Sequence, residues 1–411
     1  MKPIPLTVCV VECGLFQSLA HTLVGQFERV LYFRDSNQSF PTSTDIAIGT
    51  GYGFERIYSW EEHYDEVDIW IFPDIGYGKF QEWLKAQGKR TFGCGVAQEF
   101  EQYRVEAKEI IREAGLPVNE YEVVIGMEDL RDYLQSHDDV YVKVSLARGI
   151  TESFHSQSYD LVKVKLDEIE FKLGFLADQQ EWIVEQPIPA IGEIGYDGIT
   201  INGRFWDTGI AGVEKKDCGY FCAVKPYTQL PKSCTNVNTR LAPQFKDWGF
   251  CGWWSSEIRP SDKKDYLIDP TCRMASPAGE CYQNLVANWG EIIDAGSLGK
   301  MVQPKWSAKF AAQAMLVCPC AASQQVPVYI KPAIRPFVHL YHSAKIDGVE
   351  VVFPTDAKMV EIGSVVGIGN TPDEAIKACQ KNCEGVEAYQ LEAKCDVLDG
   401  ARRELAKFMT L

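Results

Sequence analysis

The sequence lacks the features that would place the protein in a membrane, a secretory pathway or a repeat array. No stretch of about 18 apolar residues occurs, the length that a membrane-spanning helix needs. The opening MKPIPLTVCVVECG does not have the charged, apolar and cleavage regions of a signal peptide in order. There is no internal repeat and no low-complexity segment. These absences predict a soluble, cytoplasmic, globular protein.

Positive charge is also in short supply. Lysine and arginine together number 41 against 57 aspartates and glutamates, so the formal net charge is -16. An acidic chain is a poor partner for duplex DNA or an anionic membrane surface, because both attract cationic side chains. We therefore expect small-molecule substrates, with no nucleic-acid or membrane partner. A small anionic ligand in a locally basic cleft stays compatible with this charge, and monomer and homodimer both stay open.

Paired CxxC motifs are missing, although the chain has 14 cysteines. Spacings such as Cys318 with Cys320, and Cys379 with Cys383, match no zinc or disulfide framework. We interpret the cysteines as scattered reduced thiols that behave as small hydrophobic residues.

The chain is long enough for more than one domain. At 411 residues it exceeds one ordinary core, and about 150 residues per domain indicates two or three. Apolar residues make up 46% and charged residues 24%, as in globular proteins. Strand-like runs such as Leu6–Gly14 and Ile69–Pro73 alternate with helical patterns as far as Gly95. This alternation predicts an α/β domain over 1–95 with a doubly wound parallel sheet.

The next segments predict a mixed region with both helices and strands. Val96–Val118 has the pattern of one charged amphipathic helix that ends at Gly115. The strand DDVYVKVS carries Lys143, and the strand beginning at Glu181 is interrupted at Pro187 and Pro189. Such an interruption is typical of a connector between two lobes.

Strand-rich segments follow from Gly192. Turn signals at Asp197-Gly198 and Asn202-Gly203 predict antiparallel hairpins. The polar and aromatic segment Gly212–Pro231 is interpreted as an irregular loop beside a site, and one helix is expected over Ala278–Gly296. The end of the chain predicts a third, strand-rich domain, in which Pro372 begins a helix capped by Asn370 or Thr371.

The stretch Asp265–Glu280, DYLIDPTCRMASPAGE, has the most suggestive chemistry. Asp269, Thr271 and Arg273 alternate, so in a strand their side chains share one face. An acid and an oxygen ligand beside a cation can hold Mg²⁺ together with phosphate oxygens. A salt bridge at the end of an edge strand is the simpler explanation of these three residues alone.

Six segments, taken in order, resemble the ATP-grasp superfamily, and within it the phosphoribosylamine-glycine ligases of purine biosynthesis. They are FPDIGYGKFQEWLKAQGKRTFGCG, FEQYRVEAKEIIREAGLPV, VYVKVS with RGI, WIVEQPI with GEIG, LIDPTCRMASP and NTPDEA. The resemblance lies in their order and spacing. It implies an N-terminal pre-ATP-grasp domain over 1–95, a central ATP-grasp domain over 96–300 with a mobile lid over about 119–186, and a C-terminal domain over 301–411.

The resemblance also implies which residues contact ATP. Lys143 and Arg148 would clamp phosphates, the backbone after Glu185 would read the adenine edge, and Glu193 would lie near the ribose. A solvated charge at a strand end explains Lys143, Glu185 or Glu193 taken singly. The implied nucleotide contacts are Arg104, Lys143, Arg148, Gly149, Glu185, Gln186, Ile188 and Glu193.

The implied metal site departs from the family. Asp269 and Thr271 take the positions of a metal-binding glutamate and asparagine, which implies Mg²⁺, or Mn²⁺ in its place, bound with ATP. Arg273 and Asp269 are the implied catalytic residues. Aspartate is shorter than glutamate, and threonine is a poorer ligand than asparagine. Either one metal is lost, or a water or Glu257 substitutes.

The segments that hold the substrates in this family differ more. Of the glycine-rich loop that cradles a sugar phosphate only Gly14 remains, in ECGLFQSLAH. Tyr220, Phe221 and Tyr227 stand in CGYFCAVKPYTQLP, where the family has a glycine-rich substrate loop. These aromatic residues would shrink the pocket or stack on a flat acceptor, or else simply pack the loop onto the domain.

The expected activity is an ATP-dependent ligation of a carboxylate to an amine through an acyl phosphate. Glycine and phosphoribosylamine are the substrates that the resemblance implies, and a different amine or nucleotide acceptor is the alternative. A protein of another class, which binds nucleotide as a scaffold without turnover, is the second alternative, and Thr271 is the residue in its favour.

Overall fold

A computed structural model describes residues 2–35, 42–145, 153–261, 264–355 and 359–411. Two compact units are present. The first comprises Met1–Gln98, Ile194–Ser256 and Thr271–Leu411, and the second comprises Glu99–Glu193 and Glu257–Pro270. The three-domain division predicted from the sequence stays a proposal. No helix in the described part of the chain combines the length and the apolar character needed to cross a bilayer.

The strands are β1 (Ile4–Glu12), β2 (Phe27–Arg34), β3 (Glu55–Ile57), β4 (Ile69–Ile71), β5 (Arg90–Phe92), β6 (Tyr121–Ile125), β7 (Val140–Val144), β8 (Ser153–Ser156), β9 (Glu181–Glu185), β10 (Ile194–Ile201), β11 (Thr208–Lys215), β12 (Gly219–Pro226), β13 (Cys251–Ser261), β14 (Lys264–Thr271), β15 (Phe310–Val317), β16 (Val326–Ile330), β17 (Val338–Leu340), β18 (Ser343–Ile346), β19 (Val349–Val352), β20 (Glu361–Gly369), β21 (Val386–Glu387) and β22 (Glu392–Ala393).

The helices are α1 (Gln17–Leu23), α2 (Ser43–Ala47), α3 (Gly78–Ala86), α4 (Glu99–Gln102), α5 (Arg104–Glu113), α6 (Met127–Ser136), α7 (Tyr159–Leu173), α8 (Lys232–Asp247), α9 (Gly279–Leu285), α10 (Trp289–Gly296), α11 (Pro372–Cys383) and α12 (Leu398–Leu405). Short 3-10 helices lie at Glu61–His63, Gly95–Gln98, Gly174–Leu176, Tyr227–Gln229, Pro319–Ala322 and Pro332–Phe337.

A five-stranded parallel sheet opens the first unit. Its order is β3-β2-β1-β4-β5, and every neighbouring pair is parallel. The order corresponds to five of the six strands of the doubly wound order 3-2-1-4-5-6, so the predicted N-terminal fold is confirmed. The central strand β1 is buried at Val8, Val10 and Val11 because a parallel sheet is covered on both faces.

A larger antiparallel sheet continues the first unit, in the order β13-β10-β11-β12-β15-β20-β17. The turn predicted at Asn202-Gly203 is present, with positive φ at both residues and a bridge between Ile201 and Arg204. The turn predicted at Asp197-Gly198 is wrong, because both residues lie inside β10. The reason is that burial on both faces of the strand outweighs the local turn preference.

The predicted irregular loop over Gly212–Pro231 is also wrong. Its residues form the end of β11 and all of β12, paired in register with Val213 opposite Phe221 and Glu214 opposite Tyr220. Residues 219–223 are all buried, so the strand shows no alternation of apolar and polar residues. This lack of alternation explains why the sequence pattern was interpreted as a loop.

Two predicted helices are each divided. The helix expected over Val96–Val118 consists of a 3-10 turn, α4 and α5, because Tyr103 has extended backbone between the two helices. Its predicted end is confirmed, since Gly115 has a φ of +74°. The helix expected over Ala278–Gly296 is α9 and α10, separated where Val286 adopts an extended conformation.

A third sheet, in the order β18-β19-β16-β21, lies near the end of the first unit. Helix α11 begins with Pro372, and the Thr371 hydroxyl accepts a hydrogen bond from the Glu374 amide while the Glu374 carboxylate accepts one from the Thr371 amide. This capping box confirms the predicted start of the helix and identifies Thr371 as its N-cap.

The second unit contains a four-stranded antiparallel sheet in the order β6-β9-β7-β8. Helices α6 and α7 bury their apolar faces against it in a core that includes Leu130, Leu166 and Trp182. Neighbouring strands β13 and β14 supply Glu257–Pro270 to the same unit. The fold class predicted from the sequence, mixed α/β and α+β, is confirmed.

Candidate functional site

The register of the second unit brings Lys143 and Glu185 together. Tyr141 on β7 lies opposite Glu185 on β9, and Lys143 is two residues further along β7. Residues two apart share a face, so Lys143 is the diagonal neighbour of Glu185. The Lys143 ammonium lies 2.9 Å from a Glu185 carboxylate oxygen and donates to the Ile268 carbonyl at 3.4 Å. The predicted nucleotide contacts Lys143 and Glu185 therefore form one ion pair.

Helix α5 adds a second ammonium group to this pair. Lys108 forms an ion pair with the other Glu185 oxygen and donates to the Asn119 side chain at 2.9 Å. Burial, and secondarily the charge of Lys143, lower the pKa of Lys108 although Glu185 opposes them. Arg104, one helical turn earlier, donates to the Val144 carbonyl at 2.9 Å. Three cations are thus placed along the end of β7.

Glu185 is the electrostatic centre of the cluster. Only 5% of the residue is exposed. Burial alone would raise its pKa, but the ammonium groups of Lys143 and Lys108 outweigh burial and lower the pKa to about 2. The carboxylate is therefore ionised at any physiological pH, because a close opposite charge stabilises the charged form.

A small cavity lies beside these charges, entirely within the second unit. Its volume is about 20 Å³, close to the minimum that holds one water molecule and far below the several hundred Å³ of a typical ligand site. The residues that line it include Arg104, Lys108, Lys143, Glu185, Leu267 and Asp269. The structure thus brings four of the predicted site residues, Arg104, Lys143, Glu185 and Asp269, to one place.

The segment after Glu185 is held by hydrogen bonds. The Gln186 amide donates to the Glu120 carbonyl at 2.9 Å, and the Gln186 carbonyl accepts from Asn119 at 3.0 Å. Gln186 therefore does not present the unengaged backbone that we expected there. Pro187 has no N–H, so Ile188 is the next residue whose backbone can donate to a ligand.

Glu193 is part of a chain of side chains that crosses the second unit. It accepts a hydrogen bond from the Arg259 guanidinium at 2.7 Å. Arg259 lies over the Tyr141 ring at 5.7 Å, Tyr141 stacks on His155 at 4.5 Å, and His155 contacts Asp139 at 2.7 Å. The Glu193 carboxylate is thus already neutralised by an arginine, and its contact with a ribose stays a prediction.

The predicted metal-binding stretch is only partly a strand. β14 ends at Thr271, so the expectation that Arg273 continues the alternation in a strand is wrong. Arg273 lies beyond the end of β14, where its guanidinium is 3.8 Å from the Asp74 carboxylate and donates to the Met274 carbonyl at 3.0 Å. Asp269 belongs to the second unit, whereas Thr271 and Arg273 belong to the first.

Within the described residues, no group of three or more histidine, cysteine, aspartate or glutamate side chains could hold a metal ion by itself. Three carboxylates line the cavity, those of Glu101, Glu185 and Asp269, and Glu185 is already paired with two lysines. Mg²⁺ commonly binds one or two carboxylates and takes its remaining ligands from phosphates and water. Asp269 therefore fits a magnesium ion that arrives with nucleotide. The parts of Thr271 and Glu257 in holding it stay predictions.

At the end of β1, the first unit has a closed loop around Gly14. The buried Glu12 carboxylate accepts hydrogen bonds from the backbone amides of Gly14 at 2.7 Å and Phe16 at 2.9 Å. Gly14 has a φ of +111°, and a Cβ there would lie 2.4 Å from His342 Nδ1. The Gly14 carbonyl accepts from the His342 amide at 2.7 Å. The Glu12 carboxylate thus already accepts hydrogen bonds from two backbone amides of this loop.

The aromatic residues predicted over the substrate pocket are packed within the first unit. Tyr220 and Phe221 are buried in β12, and the Tyr220 hydroxyl donates to the Asp197 carboxylate. Tyr227 follows the strand and stacks on Phe205 at 6.1 Å. Packing, the third of the open alternatives, is therefore what these residues do. Arg148 and Gly149 lie outside the described residues.

Sequence reasoning missed three participants, Lys108, Asn119 and Arg259. One signal was available, because Arg104 and Lys108 are four residues apart and so share a helix face. Asn119 and Arg259 gave none, since their partners Gln186 and Glu193 are 67 and 66 residues away along the chain.

The structure, unlike the sequence, matches known proteins. No protein-family model matches the sequence, and no curated protein is detectably similar to it. Phosphoribosylamine-glycine ligase from Thermotoga maritima superposes with a TM-score of 0.69 at 13% identity, covering 94% of this chain and 99% of that one.

Two further solved structures extend the likeness. The biotin carboxylase domain of 2-oxoglutarate carboxylase from Hydrogenobacter thermophilus, solved with MgADP and bicarbonate, has a TM-score of 0.69 at 11% identity and covers 99% of this chain and 96% of that one. N5-carboxyaminoimidazole ribonucleotide synthetase from Thermus thermophilus has a TM-score of 0.61 at 11% identity, covering 92% and 98%. The protein therefore has the fold shared by ATP-grasp enzymes, as the sequence resemblance predicts.

Proposed function

We propose that the protein is an ATP-dependent ligase that joins a carboxylate to an amine through an acyl phosphate. The observation that carries the proposal is the convergence of Arg104, Lys143, Glu185 and Asp269 on one cavity in the second unit. These residues come from four different elements; Arg104 and Lys143 can pair with phosphate oxygens, and Asp269 can bind Mg²⁺. Fold likeness to ATP-using enzymes supports the same assignment.

The first requirement of the proposed reaction is that cationic side chains bind the phosphates of ATP. Lys143 and Arg104 would neutralise the phosphates, since an ammonium and a guanidinium both pair with phosphate oxygens. In the structure Lys143 is paired with Glu185 and a carbonyl. Phosphate would therefore compete with Glu185 for Lys143, while Lys108 keeps Glu185 ionised. The cavity is too small for a nucleotide, so the proposed site extends beyond it.

Asp269 would hold Mg²⁺ together with the phosphates of ATP, and when bound that ion supplies charge neutralisation. The remaining work of this chain is to bind, orient and exclude water, because phosphoryl transfer needs little covalent help from protein groups. Arg273 would stabilise the transferring group or the acyl phosphate. Arg148 and Gly149 are proposed phosphate contacts on the resemblance alone.

The acceptor is proposed to differ from phosphoribosylamine. The closed loop around Gly14 favours this alternative, because Glu12 occupies the amides that a sugar phosphate would need. An acceptor amine without a phosphate at this loop suits the geometry better, and the carboxylate substrate stays that of the resemblance, an amino acid.

ADP release from the purified protein tests the proposal. Protein with MgATP is incubated with a matrix of amino acids and amines, and ADP and phosphate are followed together with product mass. We expect turnover that needs both an amino acid and an amine, with phosphoribosylamine a poor acceptor. Nucleotide binding without ADP release across the whole matrix would support the scaffold alternative instead.

A matched pair of lysine variants makes this test specific to the site. Lys143→Met removes the ammonium beside Glu185, whereas Lys163→Met removes an exposed ammonium of the same unit that is paired with Asp160. Only the first should lose nucleotide-dependent turnover. Equal activity in both variants would contradict the assignment of Lys143.

A further inference from the structure

Three cysteine side chains of the first unit converge near the carboxyl end of α11. Cys379 and Cys383 are four residues apart, so they lie on one face of the helix. Cys395 follows β22, and its sulfur lies 3.2 Å from that of Cys383. A disulfide has a sulfur-sulfur distance of about 2.05 Å, so a shift of about 1 Å would close the bond.

The three thiols differ in accessibility. Cys379 is fully buried, and its thiol donates to the Val365 carbonyl at 3.3 Å. Cys383 and Cys395 are half-buried. A dissolved oxidant therefore reaches Cys383 and Cys395 but not Cys379.

The cluster also favours one thiol as the nucleophile. Close contacts with the thiols of Cys379 and Cys383 are the main reason that the pKa of Cys395 is lowered. A thiolate rather than a thiol attacks a disulfide, so Cys395 is poised to react first. Burial, and after it the charge of neighbouring Asp396, oppose this lowering without cancelling it.

We propose that Cys383 and Cys395 are a redox-reactive pair. They form a reversible disulfide bond with each other by thiol-disulfide exchange, in which a low-molecular-weight disulfide such as oxidised glutathione is the oxidant. The Cys395 thiolate attacks one sulfur of oxidised glutathione, the glutathione disulfide bond breaks, and one glutathione thiolate leaves. Cys383 then loses its proton and attacks the Cys395 sulfur, which expels the second glutathione. Two electrons pass from the protein thiols to glutathione, and two protons end on the glutathione thiols.

The chain contains an internal comparison for this pair. The sulfurs of Cys318 and Cys320 lie 3.0 Å apart, and both thiols donate to the Tyr389 carbonyl. Burial, and then the hydrogen bond with Cys320, raise the pKa of Cys318 to about 11. The sulfur-sulfur distances are thus similar in the two pairs, but the pKa is lowered at Cys395 and raised at Cys318. Cys383 and Cys395 should therefore oxidise first.

Peptide mapping after controlled oxidation tests the proposal. The reduced full-length protein is exposed to glutathione redox buffers near neutral pH, quenched with N-ethylmaleimide and digested with trypsin without reduction. Cleavage at lysine and arginine places Cys379, Cys383 and Cys395 on separate peptides, 378–381, 382–394 and 395–402. We expect 382–394 linked to 395–402, released by dithiothreitol, before Cys318 and Cys320 lose their reactivity to maleimide.

Variants identify the order of the steps. Cys383→Ser should trap a mixed disulfide of glutathione on Cys395, whereas Cys395→Ser should lower glutathione uptake at Cys383 by at least about 10-fold, because the activated thiolate is gone. Cys379→Ser should still form the bond. A link to peptide 378–381 in the wild-type protein would overturn the proposal. Oxidation of Cys318 and Cys320 while Cys383 and Cys395 stay reduced would also overturn it.

Discussion

Replacing Glu185 by glutamine should destabilise the second unit strongly, because it leaves the buried Lys108 and the half-buried Lys143 ammonium groups without their shared counter-charge. The pKa of Glu185 falls from an ordinary 4.5 to about 2 in the folded protein. At about 1.4 kcal/mol per pKa unit this difference corresponds to about 3.5 kcal/mol. Removing one partner of a buried ion pair lowers the free energy of unfolding by a similar amount, about 3 to 5 kcal/mol.

The same pKa gives the pH dependence of the wild-type protein. The folded-state pKa of Glu185 lies below its unfolded value, so its stabilisation is complete above pH 4.5. It is lost as the pH falls from there towards about 2. In Glu185→Gln this part of the acid sensitivity should be absent.

Hydrogen exchange measured by mass spectrometry is the suitable assay, because it reports local opening of the second unit separately from the rest of the chain. Peptides covering β9 should lose about 3 kcal/mol of protection in Glu185→Gln. Glu193→Gln is the matched control, since its ion pair with Arg259 is partly exposed, and such pairs contribute less than about 1 kcal/mol.

A double variant tests whether the three charges act together. Lys108→Met in the Glu185→Gln background removes one of the two uncompensated ammonium groups, so it should restore part of the lost protection. Contacting residues commonly show coupling energies of about 0.5 to 3 kcal/mol. Additive losses in the double variant, or equal protection in Glu185→Gln and Glu193→Gln, would refute the reasoning that the cluster is a coupled buried network.

Three further predictions concern the proposed chemistry and the corrected parts of the fold. Asp269→Asn should lower ADP release by at least about 100-fold with unchanged melting temperature, the scale of losing a charge-stabilising group, and Thr271→Asn should be tolerated; full activity in Asp269→Asn would contradict the metal assignment. MgATP at about 100 times its Kd should stabilise the protein by about 2.7 kcal/mol, which calorimetry detects as a rise in melting temperature. The rise should be absent in Lys143→Met. An unchanged melting temperature in the wild-type protein would exclude nucleotide binding. Tyr220→Phe should lower the free energy of unfolding, measured by denaturant titration, by about 1 to 3 kcal/mol, because the buried Asp197 carboxylate loses a hydrogen-bond donor. The preference of the enzyme among amine substrates should not change. A changed preference would show that Tyr220 contacts the substrate.

Local signals in the sequence were sufficient for several elements. The alternating strand and helix patterns before Gly95 predicted the parallel sheet, because its central strands are buried on both faces and therefore have long apolar runs. Asn370 or Thr371 followed by Pro372 predicted the start of α11, since an N-cap side chain and a proline at the first helical position are both local signals. Asn202-Gly203 predicted its turn because both residues tolerate positive φ.

Local signals failed where burial decided the structure. Asp197-Gly198 resembles a turn and Gly219–Pro226 resembles a loop, yet both lie in strands of the large antiparallel sheet. A short stretch of sequence does not show what covers its second face. Small and aromatic residues in these strands gave no period of two, because both faces are buried.

The candidate site shows the same division. Lys143 and Glu185 were identified through the resemblance, Lys143 as a cation for phosphates and Glu185 as the residue before the backbone that would read the adenine edge. Only the tertiary structure decided that they form one buried cluster with Lys108, which is 77 residues from Glu185 along the chain. The sequence determines which charges are available, but their pKa values depend on burial and on distances of about 3 Å, which arise only when distant segments pack together.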